Sequence, residues 1–92
     1  MIIRIATEGQ YRASGALLDK LNRIDNQLVE ALTNKDESTF QRLLSDMLAL
    51  VRGQGEPLPV EELVESDLIL PAPGTTLEEA RSLFLADGLI PG

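Results

Sequence analysis

The sequence predicts an α+β fold: an antiparallel helical hairpin packed on a small two- or three-stranded sheet and closed by a C-terminal helix. Three observations carry this expectation. The chain opens on a short, largely β-branched run, Ile2–Ala6; two consecutive stretches between Leu17 and Val51 repeat large apolar residues at helical spacing; and the second half is punctuated by prolines around a short apolar run, Asp67–Leu70.

The first half of the chain supplies two strands and two helices. Residues 2–6 read as a strand, and the turn-like Glu8-Gly9 separates them from a second strand over about 10–13, so a hairpin is expected. Ser14 and Gly15 lead into a helix whose Leu17, Leu21, Ile24, Leu28 and Leu32 recur every three or four residues and so share one face. Between them, Asp19, Lys20, Arg23, Asp25, Asn26, Gln27 and Glu30 read as the solvated side. Thr33-Asn34-Lys35-Asp36 interrupts the pattern, with Asp36 and Ser38 both able to cap the second helix by accepting a free backbone N–H. Phe40, Leu43, Leu44, Met47, Leu48 and Val51 mark that helix, with Gly53 as the expected left-handed stop. The short connection makes the two helices antiparallel.

Pro57 and Pro59 forbid a regular helix and favour extended backbone at Glu56 and Leu58, after which residues 60–64 suit about one helical turn. Residues 67–70, ended by Pro71, read as a strand. Pairing it with residues 2–6 is the economical way to satisfy the amides of two apolar segments. Thr76 with Glu79 three residues later has the form of a capping box, and a third helix is expected over about 77–85, burying Leu77, Ala80, Leu83 and Phe84 before Gly88. No internal repeat or long linker divides the 92 residues, which are expected to form a single domain.

Composition excludes more than it suggests. With no cysteine and no histidine, the chain has no disulfide, thiolate nucleophile, thiolate zinc site or imidazole base. A net charge of −7 opposes nucleic acid and anionic lipid alike, because both are held largely by lysine and arginine. Neither a secretory signal nor an apolar run long enough to span a bilayer stands in the sequence, so a cytoplasmic protein without direct membrane insertion is expected. The three aromatic residues, Tyr11, Phe40 and Phe84, offer no stacking platform for bases.

Candidate chemistry is sparse. Glu61, Glu62, Glu65 and Asp67, with Glu78 and Glu79 further on, are oxygen donors suited to a hard cation or an acid/base pair. Their spacing is not that of a calcium loop, and acids beside helix starts favour the local dipole. The scattered glycines form no phosphate-binding loop, the serines have no histidine base, and Lys20 and Lys35 lie among polar neighbours. No catalytic, cofactor or metal residue is assigned. What remains are surfaces: the acidic region 56–67, and an ending in which Leu89 and Ile90 come after a helix stop and either pack back on the domain or dock on another chain. An exposed sheet edge can also recruit a second copy, making a homodimer one expected alternative.

The opening Ile2-Ile3-Arg4-Ile5 with Gly9-Gln10-Tyr11, the Pro57-Leu58-Pro59 turn, Ser66-Asp67-Leu68-Ile69-Leu70-Pro71, Thr76-Leu77-Glu78-Glu79 and the final Gly88-Leu89-Ile90-Pro91-Gly92 together resemble the PspA-associated protein family, PspAA, from first residue to last. The resemblance implies a small cytoplasmic companion of PspA, the coiled-coil protein of the phage-shock membrane-stress response, which assembles on the inner face of the cell membrane and belongs with the Vipp and ESCRT-III families. It brings a partner and no catalytic motif. The expected function is a non-enzymatic adaptor or regulator that binds a PspA-like coiled-coil protein and reaches the membrane through it. Its acidic surface would meet basic stretches of that protein, with Glu61, Glu62, Glu65, Leu89 and Ile90 as candidate contacts. The alternative is a small cytoplasmic sensor that takes a metabolite or cation through the acidic loop 56–67. A divergent enzyme using carboxylates alone would need a deep pocket holding two acids in contact.

Overall fold

A computed structural model describes residues 1–59, 61–62 and 64–81. Its elements run β1 (Ile2–Ile5), β2 (Gly9–Arg12), α1 (Gly15–Thr33), α2 (Glu37–Gln54), β3 (Glu56–Pro57), β4 (Leu68–Leu70) and α3 (Leu77–Arg81), an α+β architecture. The sheet has four strands in the order β3-β2-β1-β4, one or two more than the sequence suggests. The additional strand is β3. Pro57 marks it as extended, but its antiparallel pairing, Tyr11 opposite Pro57 and Arg12 opposite Glu56, is a long-range event that no local pattern announces.

β1 and β2 form the expected antiparallel hairpin, with Ile3 opposite Tyr11 and Arg4 opposite Gln10. The reversal falls on residues 6–8, and the Glu8 N–H donates to the Ile5 carbonyl at 3.0 Å. The positive φ that such a turn needs is taken by Thr7, at 71°, an uncommon conformation for a β-branched residue. β4 lies parallel to β1, with Ile3 opposite Leu68, Arg4 opposite Ile69 and Ile5 opposite Leu70. The Asp67 N–H donates to the Ile2 carbonyl at 2.8 Å, and the Asp67 carboxylate accepts from the Ile2 N–H at 2.8 Å, locking the start of this pairing.

Both long helices start as their sequences dictate. The Ser14 hydroxyl accepts from the Leu17 N–H at 3.2 Å, and the Asp36 carboxylate accepts from the Thr39 N–H at 3.2 Å, so Asp36 rather than Ser38 is the cap of α2. Between them the chain makes a Schellman turn. The Asp36 N–H reaches back to the Ala31 carbonyl at 2.9 Å and the Lys35 N–H to the Leu32 carbonyl at 3.2 Å, with Lys35 left-handed at φ 55° where glycine is usual. Gly53 does not stop α2, contrary to the pattern. The helix runs to Gln54 and its capping residue is Gly55, in extended backbone at φ −77°. Gly55 is needed there for space: a Cβ would lie 2.5 Å from the Val51 carbonyl oxygen.

The helices cover one face of the sheet. Ile3 and Ile5 of β1 and Leu68 and Leu70 of β4 are buried against Leu17, Leu21 and Leu28 of α1 and the full apolar stripe of α2, Phe40 to Val51. Burying each such side chain is worth about 1.5–3 kcal/mol before entropy is counted. Ile24 and Leu32 are only half-buried at the margin of this core. The larger departure is Asp25, expected on the solvated side and found fully buried between the Leu21 and Leu28 positions of α1. No buried side-chain oxygen or nitrogen among the described residues lacks a hydrogen-bond partner.

α3 begins at the capping box read from the sequence: the Glu79 N–H donates to the Thr76 hydroxyl at 3.1 Å and the Thr76 N–H to the Glu79 carboxylate at 3.0 Å. Leu77 and Ala80 are buried as expected. The Glu37 carboxylate of α2 accepts from the Leu77 N–H at 2.9 Å, and the Gln41 amide donates to the Thr75 carbonyl at 2.7 Å, stitching the start of α3 to α2. The expected continuation to about residue 85, with Leu83, Phe84, the Gly88 stop and the Leu89-Ile90 ending, lies outside the described residues.

Candidate functional site

Strand alternation decides which side chains the helices leave uncovered. Because Ile3, Ile5, Leu68 and Leu70 point into the core, Ile2, Arg4 and Ile69 point to the other face, and the register places Gln10 and Arg12 beside them. β3 and β4 occupy opposite edges, so the chain between them must cross the sheet, and its described residues Val64 and Ser66 lie on this face beside the Gln10 side chain. Gln10 clamps the crossing: its side-chain amide donates to the Val64 carbonyl at 2.9 Å and to the Ser66 hydroxyl at 2.8 Å. The Leu58 N–H continues the β2–β3 pairing by donating to the Gln10 carbonyl at 3.0 Å, and the Glu62 N–H turns back to the Pro59 carbonyl at 3.0 Å. That single hydrogen-bonded turn stands where a helical turn over 60–64 is expected, while Val60 and Leu63 themselves are outside the described residues.

Between the crossing segment and the β1–β2 hairpin lies an open groove of about 810 Å³. It is lined by Arg4, Thr7, Glu8, Gly9, Gln10 and Tyr11 of the hairpin and by Pro57, Leu58, Pro59, Glu62 and Val64. Glu8 is already engaged by Arg52 of α2, whose Nε donates at 2.9 Å to one carboxylate oxygen while an Nη donates to the other. The Arg52 hydrogen bond holds the Glu8 carboxyl below its usual pKa of 4.5, and Glu8 in turn raises Arg52. Through this pair Glu8 ties the hairpin to α2. Two carboxylates, Glu8 and Glu62, line this groove, and among the described residues no hydrogen bond joins them.

The residues named from the sequence are distributed differently. Glu61, Glu62 and Glu65 are all exposed on the crossing segment, and of the three only Glu62 lines the groove. They do not converge: among the described residues no group of three or more Asp or Glu side chains could hold a metal ion. Asp67 serves β1 through its hydrogen bond to the Ile2 N–H, and Glu79 caps α3, its carboxyl lowered from the usual 4.5 by the Thr76 N–H and hydroxyl. Leu89 and Ile90 lie outside the described residues.

Arg4, Gln10 and Ile69 are the residues that reading the sequence for function passes over. The signal was present in the alternation of β1, where one arginine interrupts an apolar run and therefore faces away from the core. Its register with Ile69 required the long-range pairing. Ile69 is 59 % exposed and, with Met1 at 40 %, stands out among the described large apolar residues as open to solvent. No helix among the described residues is long and apolar enough to cross a membrane.

Comparison with known proteins adds a whole-length match. The family model described as PspA-Associated protein matches residues 1–92. No curated protein and no solved structure matches the chain.

Proposed function

The chain belongs to the PspA-associated protein family, and from that premise we propose that it is a non-enzymatic adaptor that binds a PspA-like coiled-coil protein and acts with it in the membrane-stress response. The observation that carries this reading is the family match over the full 92 residues. Geometry supports it through the sheet face that the helices leave open, where the described residues present a groove lined in part by Pro57, Leu58, Pro59 and Val64. With a net charge of −7, the chain would be drawn to basic stretches of its partner over about 8–10 Å, a contribution that salt screens and that acts mainly on the encounter rate. Membrane localisation, in this reading, is secondhand: the partner holds the bilayer and this chain holds the partner.

Size-exclusion chromatography with light scattering tests the proposal, using this protein alone and mixed with the purified PspA-like protein of the same cell at low and high salt. Co-migration that weakens with salt is expected. Two separate peaks at both salts, with an assembly-competent partner, would overturn direct binding.

A further inference from the structure

The register of the sheet sets three side chains in one row on its bare face: Ile69 of β4, Arg4 of β1 and Gln10 of β2. Their hydrogen-bonding capacities are unequal. Both amide hydrogens of Gln10 are used on Val64 and Ser66, whereas the Arg4 guanidinium makes no ion pair and no side-chain hydrogen bond among the described residues. The neighbouring acids are occupied elsewhere, Glu8 by Arg52 and Asp67 by the Ile2 N–H. Arg12, opposite Ile2, is the diagonal neighbour of Arg4 on the same face, and such neighbours sit roughly 7–8 Å apart. A chain of net charge −7 therefore carries, side by side on this face, two guanidinium groups with no acid paired to them among the described residues. Pro57, Leu58, Pro59 and Val64 line the groove together with Arg4, and Ile69, 59 % exposed, lines a second cavity of about 590 Å³ with Leu70, Pro71, Ala72 and Glu79.

We infer that the Ile69–Arg4 row, with the groove beside it, docks a helix of the coiled-coil partner that presents a carboxylate flanked by aliphatic side chains. The carboxylate answers Arg4, whose planar fork takes two parallel hydrogen bonds, and the aliphatic flanks cover Ile69 and the proline wall. The inference rests on the adaptor reading and deepens it by dividing the labour. The exposed acids of the crossing segment, Glu61, Glu62 and Glu65, supply long-range attraction to a basic partner, while Arg4 and Ile69 supply the short-range complement that fixes position. A hot spot of this kind combines an arginine with a shielding apolar surround.

The test is the affinity of the purified PspA-like protein of the same cell, measured by calorimetry at low and high salt, for the wild type, Arg4→Glu, Ile69→Asp, and the triple variant Glu61→Gln/Glu62→Gln/Glu65→Gln. None of these five side chains makes a hydrogen bond or ion pair among the described residues, and circular dichroism melts verify that each variant is folded. Arg4→Glu and Ile69→Asp are each expected to weaken binding at least about tenfold at both salts, whereas the triple variant weakens it at low salt only. Should Arg4→Glu misfold, Ile69→Asp decides alone. Wild-type affinity in the folded Arg4→Glu and Ile69→Asp proteins overturns the docking row and leaves the adaptor reading standing. A wild type that binds no PspA-like protein overturns the adaptor reading, and the docking row with it.

Discussion

Two glycines separated by one residue at the end of α2 are predicted to respond to the same substitution with opposite signs. Gly53 lies inside the helix, and a Cβ built on it meets nothing within 4 Å. Replacing it by alanine removes backbone freedom from the unfolded chain and is worth about 0.5–1 kcal/mol of added stability. Gly55 has an ordinary φ of −77°, so backbone strain is not at issue. Space is. The Gly55 N–H donates to the Val51 carbonyl at 2.8 Å, and a Cβ would come within 2.5 Å of that same oxygen and 3.1 Å of the Tyr11 Cβ. Real Cβ atoms essentially never approach closer than 3.0 Å, so at least half an ångström must be found. Neither neighbour yields easily: the oxygen belongs to the backbone at fully buried Val51, and Tyr11 is held in the β1–β2–β3 ladder.

Overpacking of this kind costs about 1–3 kcal/mol, and stretching the Gly55–Val51 hydrogen bond adds about 1 kcal/mol, against roughly 0.4–1 kcal/mol regained from the unfolded chain. A net loss of about 2 kcal/mol is expected, or a fall in Tm of roughly 8–16 °C for a domain of this size. Urea titrations followed by circular dichroism read both variants against the wild type, with an unchanged m value marking a change of stability alone. A Gly55→Ala protein that melts at or above the wild type would refute the steric argument. Gly53→Ala melting below the wild type would refute the placement of the helix end.

Three further outcomes are expected. Lys35→Gly relieves a left-handed residue at the Schellman turn between α1 and α2 and should raise stability by about 0.5–1 kcal/mol in the same urea titration, since L-residues resist this conformation. Phe40→Ala removes the largest fully buried side chain of the core and should cost about 3–5 kcal/mol, enough to leave so small a domain mostly unfolded by circular dichroism. Stability should fall on acidification: hydrogen bonds from Arg52, Thr39 and Thr76 lower the Glu8, Asp36 and Glu79 carboxyls, so their contribution is present above about pH 5 and is lost as pH drops through those lowered values. Thermal melts from pH 7 to pH 2 check this, and a Tm that holds or rises below pH 4 would contradict it.

How legible each part was in the sequence depends on the range of the interaction that makes it. The stripe of α2 from Phe40 to Val51 and the Thr76/Glu79 capping box are local patterns, and both stand where they read. β3 was half legible: Pro57 declares extended backbone, while its partner, β2, lies more than forty residues earlier. Gly53 misled because glycine near a helix end usually serves a positive φ, and here the constraint is the crowding of Gly55 between Val51 and Tyr11, invisible without the tertiary contact. Asp25 misled for a related reason. Its position between Leu21 and Leu28 belongs to the buried face, but its charge points to the solvated one, and in this helix position outweighs residue type. The same bias hid Arg4, which reads as an interruption in a strand and is, by alternation, the centre of its exposed face.

Topology explains where the proposed docking surface lies. The α1–α2 hairpin saturates one face of the sheet, and the strand order β3-β2-β1-β4 forces the chain to traverse the other face to reach β4. The described part of that traverse is tied down by the Gln10 side chain at Val64 and Ser66, by the Leu58 N–H on the Gln10 carbonyl and by Asp67 at Ile2. Among the described residues, what stays open is the groove lined by Arg4 and the exposed Ile69. A protein whose task was only to be stable would gain by filling it, since each exposed aliphatic side chain forgoes about 1.5–3 kcal/mol of burial. The proposed docking row would offset that loss on binding, since a partner that covers Ile69 removes the same apolar surface from water.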